Sequence, residues 1–323
     1  MAGYGGDDGP AAAAKFLQPS QVDVDASGNV YVADISNHRI RKITAAGIIS
    51  TVAGTGTAGF SGDGGPATSA ALNSPRGVAL DSAGNVYITD GANNRVRKVS
   101  TAGTITTIAG TGAASYSGDG GAATSATLNL PRGIAIDSGD TVYVVDSLNY
   151  RIRRIDGTGI ITTVAGTGVD GASGDGGPAT SAQISQAFDI GVDDAGCVYL
   201  PDTGNNRLRT FCPGGTISTV AGTGVAGSSG DGGPATSARL NGPAGVAADS
   251  SGIIYLADRL NNRLRKITPT GTITTLAGNG TASSTGDGGT AAAATVFGPR
   301  SIALYGTYLY LVEQDGQRIR RLD

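Results

Sequence analysis

Histidine occurs once and cysteine twice in the 323 residues. One histidine, His38, cannot furnish the several imidazoles of a zinc centre, and no nucleophile-elbow motif accompanies it for a serine triad. Charge is sparse and nearly balanced, with 23 Lys and Arg against 26 Asp and Glu and a net charge of −3. No global field therefore draws the chain to nucleic acid or to a membrane surface. No apolar run approaches the roughly 18 residues that span a bilayer. The opening MAGYGGDDGP has neither the basic start nor the apolar centre of a secretory signal.

What is present is one sentence written repeatedly. The stretch Ser61 to Lys98, SGDGGPATSAALNSPRGVALDSAGNVYITDGANNRVRK, recurs with little change. The acid closing each VYxxD segment falls at Asp34, Asp90, Asp146, Asp202 and Asp258, 56 residues apart each time. The arginine after it recurs at Arg39, Arg95, Arg151, Arg207, Arg263 and, one residue early, Arg318. The GDGG aspartates are Asp63, Asp119, Asp175, Asp231 and Asp287, with Asp7 in the matching place of the first copy. The units run approximately 7–62, 63–118, 119–174, 175–230, 231–286 and 287–323, preceded by residues 1–6. Six equal units over 1–323 argue for one closed domain. The 54 glycines sit at fixed places in the period and mark turns, not disorder.

Each unit holds four short segments with the period-2 alternation of strands. In the second copy these are a (77–81), b (85–90), c (95–99) and d (105–110), joined by the tight connections SAGN, GANN and STAGT. A four-stranded unit apolar on both faces cannot stand alone, and packing six around an axis buries those faces. The sequence thus predicts an all-β, six-bladed β-propeller. Tyr31, Tyr87, Tyr143, Tyr199, Tyr255 and Tyr310 of segment b should lie between blades. The long d–a connection, with Pro66 ahead of small helix formers, predicts a short helix. One large apolar residue per copy (Phe16, Leu72, Leu128, Ile184, Leu240, Val296) should pin it. These loops and the b–c turns share one elaborate face.

The pattern GVALDSAGNVYITDGANNRVRKV resembles the NHL-repeat family of β-propellers. The added GTGTAGFSGDGGPATSAALNSPRG loop is similar to that of bacterial NHL-repeat proteins and of the NHL domain of teneurins. The resemblance covers essentially the whole chain. It implies the propeller fold but no single activity, since such propellers include protein-binding, RNA-binding and a few enzymatic members. Members that cleave peptidylhydroxyglycine use several histidines around zinc, which His38 cannot replace.

Six copies of a, b and c are present but only five of d, so the last blade should lack a full outer strand. Ala2-Gly3-Tyr4-Gly5 resembles Ala53-Gly54-Thr55-Gly56, the tail of a d strand, which suggests that the N-terminus supplies, or once supplied, that edge and that most of the strand is missing. The edge left open, Arg318 to Leu322, is basic, and self-association through it is one possibility.

The recurrent acid and arginine of VYxxDxxxNxR read as a turn cap and cross-hairpin pair, worth about 0.2–1 kcal/mol if exposed. GDGG offers one carboxylate per copy, too few for a calcium loop, and reads as a turn. Cys197 and Cys212 fall opposite each other when Asp202 is paired with Arg207, so a disulfide is feasible and would favour an oxidising, extracytoplasmic setting.

Individuality is confined to a few positions. Just before strand a the series runs Ser20, Arg76, Arg132, Phe188, Ala244, Arg300. Three arginines are expected at the mouth of a central channel, with Phe60 and Tyr116 in the same sector and Phe188 with Asp189 opposite. Within strand a, Gln21, Asp23 and Asp189 replace small residues, and the two carboxylates need water, a cation or an arginine. The expected function is a non-catalytic binding or scaffold domain. Its elaborate face would take protein partners or a small anionic ligand, with no metal or cofactor. Two alternatives stand beside it. One is a channel enzyme like lactonase or strictosidine-synthase propellers, using Asp23 and Asp189. The other is a nucleic-acid-binding propeller, which would need a continuous basic surface.

Overall fold

Alternation in Val86-Tyr87-Ile88-Thr89-Asp90 puts apolar side chains on both faces of a strand, and that strand is buried along its whole length. The computed structural model describes residues 3–193 and 195–323. In blade two, Pro75–Leu80, Val86–Asp90, Arg95–Val99 and Ile105–Ala109 form a four-stranded antiparallel sheet in sequence order. Six such sheets form a ring, closed where Pro19–Val24 of blade one packs against Pro299–Tyr305 of blade six. We keep the letters a to d for the strands of each blade, a innermost.

The core lies between blades. One cluster joins Tyr31, Ala33 and Ala53 of blade one to Val78, Ile88 and Ile105 of blade two, and equivalent clusters follow around the ring. Each large apolar side chain so buried stabilises by about 1.5–3 kcal/mol. Phe16, Leu72, Leu128, Ile184, Leu240 and Val296 are all buried, as expected of pins.

The short helix is smaller than its sequence suggests. It is a single 3₁₀ turn, Ala67–Ser69 in blade two, and Pro66 precedes it in extended conformation instead of occupying its first turn. The backbone explains this. The Ala67 N–H donates to Gly103 O, and Gly64 N and Gly65 O bond to Ile105, so the loop is held along the outside of strand d. In blade three the same segment, Gly121–Ala122, forms a fifth strand beside Ile160–Ala165.

Blade six has three strands, Pro299–Tyr305, Tyr308–Glu313 and Arg318–Leu322. Met1 and Ala2 lie outside the described residues, but Gly3 to Gly6 do not supply the missing edge. Gly3 N donates to Phe16 O, and the carbonyls of Gly3 and Gly5 accept from Asn37 and Arg41 of blade one. The period gives the reason. Tyr4 stands 56 residues before Phe60, and Asp7 the same distance before Asp63, so the segment begins inside a d–a loop. A short Ala-Gly match had placed it one element too early.

Candidate functional site at the hub mouth

Neighbouring a strands pack closely around the axis. A Cβ on Gly77 would strike the Arg132 carbonyl and Gln21 Oε1, and one on Gly133 would strike the Asp189 backbone. Into this space Gln21 reaches from blade one to blade three. Its Nε2 donates to Ile134 O at 2.7 Å, and its Oε1 accepts from Ile134 N at 3.2 Å. The hub is therefore bridged by a side chain where an open channel was expected.

Above the bridge, on the face of the d–a loops, the arginines converge. Arg300 lies with its guanidinium carbon 4.0 Å from the centre of the Phe188 ring, and Arg132 lies at 4.5 Å. Phe188 is thus against the arginines and not across from them. Small Ser20 and Ala244 leave room for the long side chains to reach over. Arg300 is only 5% exposed. Among the described residues its guanidinium has no hydrogen bond and no carboxylate within ion-pair distance. Arg76 and Arg132 likewise lack a carboxylate partner, and their Nε atoms are buried without an acceptor. Desolvation, and then the charge of Arg76, brings Arg132 down to about 10. Desolvation, and then Arg132 and Arg259, brings Arg300 down to about 9.

Arg259 completes the cluster and was not anticipated. It opens the b–c turn of blade five, where other copies carry Ile35, Gly91, Ser147 and Thr203. The comparison of copies that found Arg300 would have found it too. Unlike the other three it has a partner, Asp315, at 3.2 Å.

Asp23 and Asp189 lie deeper in the hub. The Asp23 carboxylate accepts from the backbone N–H groups of Val24 and Leu80, both at 2.8 Å. Burial nevertheless pushes its pKa up to about 6. Asp189 accepts from Ile190 N at 2.9 Å and from Ser301, yet desolvation and then the Asp23 charge push it up to about 7.

Phe60 and Tyr116 are engaged elsewhere. Phe60 covers Arg95 at 3.7 Å and Arg97 at 4.8 Å, and Tyr116 covers Arg151 and Arg153 in the same way. Tyr4 does so over Arg39 and Arg41. These aromatics cap a recurrent brace that sequence reasoning assigned to the wrong arginine. Asp90 and Arg95 are register partners, but Asp90 turns out of the strand conformation (φ −82°, ψ 75°) at the start of the next turn. Its carboxylate meets Arg97, two residues further on, at 3.4 Å with both side chains fully buried. The other end of Arg97 meets Asp63 of GDGG at 2.7 Å. Arg95 instead donates to the carbonyls of Asn93 and Thr111. The same brace stands at Arg41, Arg153, Arg209 and Arg265. GDGG is thus an arginine partner as well as a turn.

In blade four Cys197 and Cys212 are joined by a disulfide, with their Cα atoms 4.1 Å apart. Strand a of that blade is cut to Gly191–Val192, and the ladder with strand b ends at Tyr199. Pro201 therefore faces no a-strand partner whose hydrogen bond it would forfeit.

The repeat, its closed ring and its braces define an NHL-type β-propeller. The teneurin NHL domain model matches residues 56–117, 112–172 and 224–285, more than half of the chain, and the NHL repeat model matches 16–43. The chain belongs to the teneurin NHL domain family. Mouse Teneurin-4 is 31% identical over 280 residues, which cover 75% of this chain and 10% of that protein. The chain thus spans about a tenth of the teneurins it matches. Among solved structures, a protein of unknown function from Bacteroides thetaiotaomicron superposes with a TM-score of 0.72 at 21% identity, covering 98% of this chain and 72% of the other. Virginiamycin B lyase from Staphylococcus aureus superposes at 0.57 with 18% identity, covering 94% and 80%. At these identities the structures share the fold alone.

Proposed function

We propose that this propeller is a non-catalytic binding domain whose hub mouth takes a small anion or the acidic end of a peptide. One observation carries the reading, namely the crowding of three arginines at the hub mouth, where Arg300 is buried and the half-buried Arg76 and Arg132 have Nε atoms with no acceptor among the described residues. Desolvation and mutual repulsion outweigh the attraction of Asp189 for Arg300, and an incoming carboxylate or phosphate would relieve them. Charge-assisted bonds to arginine contribute about 1.5–3 kcal/mol each, so two forks suffice for useful affinity. Phe188 would hold Arg132 and Arg300 in place through cation–π contact. An extracytoplasmic setting fits the disulfide, whose Cys212 is exposed to reductant. The catalytic alternative draws less support, because both Asp23 oxygens accept from backbone N–H groups and Asp189 accepts from Ile190 N and the Ser301 hydroxyl.

Titration calorimetry with phosphate, citrate and a peptide ending in glutamate tests the reading. At least one should bind, more weakly as salt rises, and the Arg76→Ala/Arg132→Ala double variant should weaken it at least tenfold. Equal affinity in the variant, or no binding by any of the three, would reject it.

A further inference from the structure

The hub mouth holds a fourth guanidinium, and a carboxylate of the same chain already occupies it. Two positions in each blade send side chains over the mouth. One is the series Ser20, Arg76, Arg132, Phe188, Ala244 and Arg300. The other opens the b–c turn, at Ile35, Gly91, Ser147, Thr203, Arg259 and Gln314. The two positions touch, since a Cβ on Gly91 would lie 2.9 Å from Arg76 Cδ. Blades two and three put arginine at the first position and Gly or Ser at the second. Blade five reverses the order, with fully buried Ala244 at the first and Arg259 at the second. Arg259 therefore approaches from the turn the ground that Arg76 covers from strand a, and its charge acts on Arg300.

Asp315 holds Arg259 back. It is the second residue of the b–c turn of blade six, where other blades carry Ser36, Ala92, Leu148, Gly204 and Leu260. It is the one carboxylate of its series, as Arg259 is the one cation of its own, and the two meet. Both bonds use Arg259 Nη2, at 3.3 and 3.2 Å to the two carboxylate oxygens, so Nη1 and Nε take no part. Among the described residues Nε is buried without an acceptor. The partners differ in freedom. Gln314 N donates to Gly298 O at 3.0 Å and Gly316 N to Phe297 O at 3.3 Å, which fixes the turn of Asp315 just ahead of Arg300. The Asp315 carboxylate rests on Gly298, where any Cβ would overlap it. The far end of Arg259 is held by this pair alone among the described residues, and the pair is open to water, with the Asp315 side chain 39% exposed.

We propose that Asp315 is a built-in counter-ion that withholds Arg259 from an anion at the hub mouth and so sets the affinity of that site. The inference rests on the anion reading above. An incoming anion that displaces Asp315 draws Arg259 over Ala244 toward Arg300 and gains a fourth guanidinium. Until then Asp315 offsets part of the charge crowded at the mouth, from a turn that cannot follow the ligand.

Calorimetry on the intact chain with phosphate, citrate and the peptide ending in glutamate tests it. Asp315→Asn should tighten each ligand that the parent binds by about tenfold, the gain expected from one charge-assisted bond. Asp315→Glu, which keeps the carboxylate, should bring little of that gain. Arg259→Ala should cost about fivefold more affinity in the Asp315→Asn background than in the parent, because only there is Arg259 released. A pair that merely ties blade five to blade six would lower the melting temperature of Asp315→Asn and leave its affinities alone, and that result overturns the proposal. Equal gains from Asn and Glu overturn it too, as does an Arg259→Ala loss of the same size in both backgrounds. The parent's own titration keeps the two readings apart. Binding by the parent that Asp315→Asn leaves unchanged rejects this inference alone, whereas no binding by parent or variant rejects the anion reading with it.

Discussion

His38 holds the left-handed conformation, with φ of 53°, that Asn94, Asn206 and Asn262 hold in their blades. It also does their work. His38 Nδ1 accepts from Ser74 N of the next blade at 3.0 Å, as Asn94 Oδ1 accepts from Leu130 N at 2.8 Å. The side chain is half-buried and links two blades. Desolvation, and then the charge of Arg39, lowers its pKa. A histidine lowered in the folded state stabilises fully above its unfolded pKa of about 6.5 and loses that contribution as pH falls through the folded value. Asparagine keeps the acceptor and tolerates the left-handed conformation. His38→Asn should therefore match the parent within about 0.5 kcal/mol at pH 7.5. At pH 5 it should melt at a higher temperature, and thermal melts at the two pH values decide the matter.

At the scale of the element, the brace explains why a propeller so rich in glycine keeps its loops in place. Arg97 ties strand c to the b–c turn through Asp90 and to the d–a loop through Asp63, beneath the Phe60 ring. The two acids are not equivalent. Asp90 is wholly buried and also accepts from Asn73 N and Asn93 Nδ2, whereas the Asp63 side chain is 40% exposed. Removing the buried partner leaves Arg97 with Asp63 alone and strips Asn73 N and Asn93 Nδ2 of a buried acceptor, at about 3–5 kcal/mol. Removing the outer one should cost about 1 kcal/mol. Urea denaturation of Asp90→Ala and Asp63→Ala should separate them in that order, and equal losses would count against an asymmetric brace.

For the whole molecule, the hub is where side chains of non-adjacent blades meet, as Gln21 of blade one bonds to Ile134 of blade three and Asp189 of blade four feels the charge of Asp23. Asp189 of blade four, with its pKa pushed to about 7, is the sharpest case. A carboxyl raised in the folded state stabilises fully below its unfolded pKa near 3.8, and that contribution disappears as pH rises through about 7. Asp189→Asn keeps an oxygen for Ile190 N and cannot ionise. Its stability relative to the parent should rise between pH 4 and pH 8, read as the difference in denaturation midpoint. A difference independent of pH would mean that Asp189 titrates normally.

The fold was legible because its signals are local and repeated. Period-2 alternation, turn residues at fixed spacing and a constant 56-residue step determine strands, hairpins and the number of blades. The opposition of Cys197 and Cys212 followed from hairpin register alone. The positions that break the repeat, Arg76, Arg132, Arg300 and Phe188, were also visible, because an internal comparison marks difference without needing coordinates. Side-chain destinations were not. Whether Asp90 meets Arg95 or Arg97, whether Phe60 turns to the hub or to its own brace, and whether Gln21 bridges the hub all depend on direction and reach between segments far apart in the chain. A repeat dictates which residues are equivalent. Only closing the ring decides which of them touch, because the burial and hydrogen bonding that select a partner exist only once all six blades are in place.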